Sequence, residues 1–162
     1  MLEVKFYDSV DDSLLKFAVI ISQSNGKWVF CKHKERDTYE VPGGHREDGE
    51  NILETAKREL QEETGLKVNP NDTVKIINPF LYSTPGMTDE SNALVYIKLN
   101  VDNLSNLTQA GARGSEKFDG FVLLTKEQAK EILKTGRDPY GNFYSVYTQA
   151  ALMYFVAGLG ED

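Results

Sequence analysis

Short runs of branched and aromatic residues alternate along this chain with stretches in which apolar residues recur every three or four positions. The first pattern predicts strands at Val4–Tyr7, Leu14–Gln23 and Trp28–His33, then a short extended piece from Thr38 to Val41 stopped by Pro42. Further strands are expected at Val74–Ile77, Phe80–Ser83, Ala93–Leu99 and Phe121–Leu124. Between the second and third, Ser24-Asn25-Gly26-Lys27 carries the Asn-Gly pair of a tight hairpin turn. The second pattern predicts three helices. One runs from about Asn51 to Thr64, with Gly65 placed as a left-handed stop. Another opens at Thr125-Lys126-Glu127-Gln128, a capping box, and runs to about Lys134. The last spans Tyr144 to Gly158, with Tyr147, Ala150, Ala151, Tyr154 and Phe155 at helical spacing. Gly43 to Gly49 reads as a loop. Mixed or antiparallel strands with helices against them make an α+β or α/β layered domain. No repeat, low-complexity segment or linker interrupts the pattern, so residues 1–162 read as a single domain.

Composition narrows the function classes. Hydrophobic residues make up 40% of the chain, enough for a core. The longest apolar stretch, Ala150 to Ala157, is far too short to cross a bilayer, so no membrane partner is expected. The first residues lack the charged and apolar blocks of a secretory signal. The lone Cys31 forms no intramolecular disulfide and fits a reducing compartment, so a cytoplasmic location is expected and Cys31 is read as a buried strand residue. A net charge of −7 argues against a nucleic-acid partner held by a broad basic surface. With His33 and His45 the only histidines, a zinc site is not expected.

The chemistry is concentrated between Gly44 and Leu66. Glu59, Glu62 and Glu63 fall within about one helical turn, and residues three and four apart lie side by side on a helix. A stripe of negative charge is unfavourable unless a cation sits on it, and a set of hard oxygen donors suits Mg²⁺ or Mn²⁺. Such a cation would also reconcile an acidic protein with a phosphate-ester substrate, because it inverts the local field.

The spacing is Gly44, five residues, Glu50, seven residues, Arg58-Glu59-Leu60, one residue, Glu62-Glu63, one residue, Gly65-Leu66. At every fixed position it resembles the signature of the Nudix hydrolases. That resemblance implies a Nudix-type α/β/α sandwich with a mixed β-sheet, and Mg²⁺-dependent cleavage of a nucleoside diphosphate linked to another moiety. It implies metal ligation by Glu59, Glu62, Glu63 and the backbone carbonyl of Gly43. It gives Arg58 and Glu50 a buttressing role in the catalytic constellation, for which a fixed guanidinium fork is suited.

Two later segments bear on substrate. Tyr82-Ser83-Thr84-Pro85-Gly86-Met87-Thr88-Asp89-Glu90 resembles the Ser/Asp-Pro-Gly loop of the ADP-ribose and ADP-sugar diphosphatase branch, which makes Pro85, Gly86 and Glu90 candidate substrate-binding residues. The stretch Gly114 to Leu124 resembles the segment that carries a catalytic glutamate in the same branch. Glu116 is therefore the candidate general base, with Glu90 as its rival. Tyr147 is expected in the core more than against ligand. The run Trp28 to Arg36 and the loop Val41-Pro42-Gly43-Gly44-His45 look more like small bacterial Nudix enzymes acting on nucleoside triphosphates. The ADP-ribose branch more often has Pro-Ala-Gly at this loop and a longer N-terminal segment exchanged in a dimer. Three readings result: a diphosphatase for ADP-ribose or a related nucleotide sugar, a nucleoside triphosphate diphosphatase of the 8-oxo-dGTP type, and a nucleotide-binding domain without catalysis. The expected partner is a small nucleotide, and a homodimer stays open.

Overall fold

The computed structural model describes residues 9–24, 26–33, 39–84, 87, 91–100, 107–108, 110–111, 118–138, 141 and 143–159. A 3₁₀ turn, Asp12–Leu14, precedes strands β1 (Phe17–Ser24), β2 (Lys27–His33), β3 (Tyr39–Glu40) and β4 (Gly43–His45). Helix α1 (Ile52–Thr64) follows, then β5 (Thr73–Tyr82), β6 (Ser91–Leu99), β7 (Phe118–Leu124), α2 (Lys126–Thr135) and α3 (Val146–Ala157). The seven strands form one mixed sheet in the order β3-β2-β1-β6-β5, with β4 on β1 and β7 on β2. The β1–β6 pair is parallel and the others are antiparallel.

The hairpin between β1 and β2 closes with Ser24 opposite Lys27, and Gly26 sits at φ +69°, where glycine carries no steric penalty. The two strands pair only at this end, through Gln23–Trp28 and Ser24–Lys27. Farther along they part. The freed edge of β1 is taken by β4, with Phe17, Ala18 and Val19 opposite His45, Gly44 and Gly43. That of β2 is taken by β3, with Cys31 opposite Glu40. This split brings the glycine pair into the sheet.

Both faces of the sheet are covered. Along β1, Ala18 and Ile20 join Ile52, Ala56 and Leu60 of α1, whereas Val19 and Ile21 join Ile132 of α2 and Ala151, Leu152 and Phe155 of α3. Successive strand side chains point to opposite faces, so a strand buried on both sides reads as one continuous apolar run. Polar Gln23 is also buried, and its Oε1 accepts the Tyr96 hydroxyl at 2.8 Å. The result is the α/β/α layering expected from the motif.

The helix ends follow their predicted signals. Asn51 caps α1 reciprocally with Glu54, and Gly65 ends it at φ +74°. Thr125 and Gln128 form the capping box of α2. Other boundaries shift. The strand expected from Leu14 begins at Phe17, because Asp11 accepts the Ser13 N–H and turns residues 12–14 into a 3₁₀ turn. The expected loop from Gly43 is a strand up to His45, since β1 offers it an open edge. Val74–Ile77 and Phe80–Ser83 are one strand, irregular around Asn78, whose Oδ1 accepts the Phe80 N–H. The last helix starts at Val146, because Ser145 caps it, and buries Thr148, Ala151, Leu152 and Phe155. The strand expected at Val4–Tyr7 lies outside the described residues.

Phe155 stacks on Trp28 with ring centroids 4.0 Å apart, and both rings are fully buried. Phe155→Ala should lower the unfolding free energy by about 3–5 kcal/mol in urea denaturation. A loss below about 1 kcal/mol would mean that this layer does not hold α3 to the sheet.

Candidate active site

Helix α1 lays its acids out by periodicity. Glu59 and Glu63, one turn apart, are buried at 4% and 2% exposure, while Glu62 is half-buried beside them. Glycine is required where the loop crosses this stripe. A methyl group on Gly44 would overlap the Glu59 carboxylate, and one on Gly43 would sit 2.5 Å from the Ala18 carbonyl. The backbone therefore passes directly over an acidic side chain. Pro42 holds its end of the strand pair through its carbonyl, which accepts the Ile20 N–H at 2.8 Å.

Arg58 organises the cluster. Its Nε donates to Glu50 Oε1 at 2.7 Å and its Nη2 to Glu50 Oε2 at 3.2 Å. Nη1 reaches Glu59 Oε1 at 2.7 Å and Glu62 Oε2 at 3.3 Å, and Nη2 also donates to the His45 carbonyl at 2.9 Å. Glu50 further accepts the Thr55 hydroxyl at 2.9 Å and the Glu47 N–H at 3.2 Å. These donors, the Arg58 fork first, pull the Glu50 carboxyl from an ordinary value of 4.5 down to about 2. The guanidinium is pushed upward in turn, first by its bond to Glu50. Arg58 thus joins Glu50 to the His45 carbonyl, and it also touches two of the predicted ligands.

On the sheet side, the Cys31 thiol is raised well above its usual value by burial and then by the charges of Glu63 and Glu40. That is the signature of an inert structural cysteine. Toward the helix end, a Cβ on Gly111 would lie 3.0 Å from the Glu62 backbone, and the Thr108 N–H donates to the Thr64 carbonyl at 2.9 Å. Thr108 and Gly111 thus lie against the end of the acidic turn. Glu116 itself, with Pro85, Gly86 and Glu90, lies outside the described residues. A notch of about 100 Å³ opens beside Gly43, lined among others by Phe17, Val19, Glu40 and Tyr147. Tyr147 therefore lines a recess while also packing against the core, a placement its spacing alone did not reveal.

Among the described residues, no group of three histidine, cysteine, aspartate or glutamate side chains stands arranged to hold a metal ion. Glu59 Oε1 and Glu62 Oε2 are turned to Arg58. The donor set nevertheless fits a hard divalent cation. It is all oxygen, it gathers Glu50, Glu59 and Glu62 around Arg58, and glycine at position 44 lets the backbone lie against the Glu59 carboxylate. Sequence reasoning missed Thr55, Asp12 and Arg46. Thr55 sits four residues after the helix cap, on the face that meets Glu50, but nothing local marks Asp12, which acts across 34 residues.

The NUDIX domain family matches residues 13–145, so the chain belongs to that family. It is a Nudix hydrolase, as its relatives' names also indicate. The chain is 29% identical over 141 residues to an ADP-ribose pyrophosphatase of Bacillus subtilis, covering 85% of this chain and 69% of that one. It is 37% identical over 67 residues to a putative 8-oxo-dGTP diphosphatase, YtkD, of the same organism, covering 41% and 42%. An ADP-sugar pyrophosphatase of Mus musculus is 32% identical over 87 residues, covering 54% of this chain and 38% of that one. Among solved structures, a C. elegans Ap4A hydrolase complex aligns at TM-score 0.57 and 18% identity, covering 91% of this chain and all of that one. That likeness supports the fold alone. Among the described residues, no helix is long and apolar enough to cross a membrane.

Glu50 is held ionised by its folded partners, so its contribution to stability is full above pH 4.5 and is lost as pH falls toward about 2. Glu50→Gln should reduce stability at pH 7 and flatten the fall in unfolding midpoint across that acid window. Parallel wild-type and variant profiles would show that the Arg58 pair contributes nothing there.

Proposed function

We propose that this chain is a metal-dependent diphosphatase that hydrolyses ADP-ribose or a related nucleotide sugar to a nucleoside monophosphate and a sugar phosphate. The observation that carries the reading is the buried pair Glu59 and Glu63, with Glu62 beside them, under a backbone where only glycine fits. Mg²⁺ or Mn²⁺ would be held by Glu59, Glu62, Glu63 and the Gly43 carbonyl, and when bound it supplies neutralisation of the diphosphate and an activated water. Arg58 and Glu50 would keep the loop and helix in register when the metal is held. The notch beside Gly43 offers aromatic Phe17 and Tyr147 and acidic Glu40 to a nucleobase or ribose. Glu116, from the resemblance of its segment to that of the ADP-ribose branch, is the general base. Similarity to the ADP-ribose and ADP-sugar pyrophosphatases supports this substrate class.

A second reading, a nucleoside triphosphate diphosphatase, is favoured by one observation: the higher local identity to the putative 8-oxo-dGTP diphosphatase. The unaltered acidic motif disfavours a purely binding role. Incubation with Mg²⁺ and ADP-ribose, 8-oxo-dGTP or dGTP separates the three. AMP with ribose phosphate is expected. Pyrophosphate from a triphosphate would transfer the assignment to the second reading, and nucleotide binding without turnover would leave only a binding domain.

Glu63→Gln should abolish most turnover at limiting Mg²⁺ while the protein stays folded, because it removes a ligand charge without emptying the core. Wild-type activity in that variant would refute the metal assignment. Glu116→Gln should slow turnover by about 10²–10⁴-fold. An unchanged rate would move the base to Glu90 or to the helix acids.

A further inference from the structure

The turn before β1 is tied to the loop after β4 through one carboxylate. Asp12 Oδ2 accepts Arg46 Nη1 at 2.9 Å, and the Asp12 carbonyl accepts the same nitrogen. Asp12 Oδ1 accepts the backbone N–H of Ile52, the first residue of α1, at 3.2 Å. The backbone of the loop is fastened at the same place, since the Arg46 N–H donates to the Lys16 carbonyl at 2.8 Å. One side chain thus bridges the residue two positions after Gly44 and the start of the helix that carries Glu59, Glu62 and Glu63.

We propose that Asp12 and Arg46 are positioning residues for the acidic site, setting the spacing between the Gly43–Gly44 backbone and the acids of α1. The inference rests on the metal-dependent reading above. Arg58 already holds this loop from the inside, through the His45 carbonyl and Glu50. Without a second anchor the loop could still pivot about that point. Asp12 and Arg46 supply a second anchor, one residue farther along the chain. A charge-assisted bond to a planar guanidinium fixes direction as well as distance. A carboxylate at the first N–H of a helix also complements the partial positive charge there. Asp12 is 43% exposed, so the pair adds little to global stability. Its effect falls on the geometry of the loop.

The test uses Asp12→Asn, Arg46→Gln and the charge-exchanged pair Asp12→Arg with Arg46→Asp. Three quantities are measured on the full chain: urea unfolding, hydrogen exchange at residues 44–52 in metal-free protein, and the Mn²⁺ dissociation constant by calorimetry. Each single variant should keep its urea midpoint, exchange faster only in that loop, and bind Mn²⁺ about 10-fold more weakly. The exchanged pair should recover part of the affinity, because the ion pair returns while the Ile52 contact does not. Unchanged exchange and affinity in both single variants would overturn the proposal. So would a general rise in exchange with a falling midpoint, which marks a merely structural contact. Failure of the wild-type chain to bind Mn²⁺ would instead sink the metal-dependent reading, and loop exchange in the variants would still decide the clamp.

Discussion

Several carboxylates meet the Arg58 guanidinium, and the described part of the site is arranged around that contact. Arg58 binds Glu50, Glu59 and Glu62 and the His45 carbonyl at once, so loop, helix and acidic stripe share a single fixed point. Guanidinium suits this role because its donors lie in a rigid plane and it stays charged throughout the working range of pH. Buried ion pairs contribute little net stability once desolvation is counted. What such a network provides is geometry: a charged crowd near Glu63 that persists in the fold.

The sheet makes that geometry reachable. Because β1 and β2 pair only at their hairpin end, β4 enters beside β1 and carries Gly43 and Gly44 over α1. The same divergence leaves the notch between Phe17, Glu40 and Tyr147. Layers on both faces resist change here. Ala18 and Ile20 meet α1 while Val19 and Ile21 meet the other helices, so a slip by one residue would invert both cores. The acidic stripe and the recess are therefore fixed by one strand that belongs to both halves of the interior.

The motif from Gly44 to Leu66, the helix caps at Gly65 and Thr125, and the hairpin at Gly26 were all legible in the sequence. Each rests on local chemistry: periodicity places Glu59 beside Glu63, and glycine alone suits a left-handed stop. The acidic stripe and the mixed layered fold follow from such near-neighbour rules together with the family resemblance. Other features depend on distant partners. Gly43 to His45 has no strand signal of its own and becomes a strand because β1 presents an open edge. Asp12 looks like any exposed acid until folding carries it across the chain to Arg46 and Ile52. Tyr147 reads as a core residue by its spacing and turns out to border the recess as well. Local sequence determined which groups could do chemistry. Tertiary structure alone decided how they are spaced, because distances across 30 or more residues are set by packing and shared hydrogen bonds that no short window encodes.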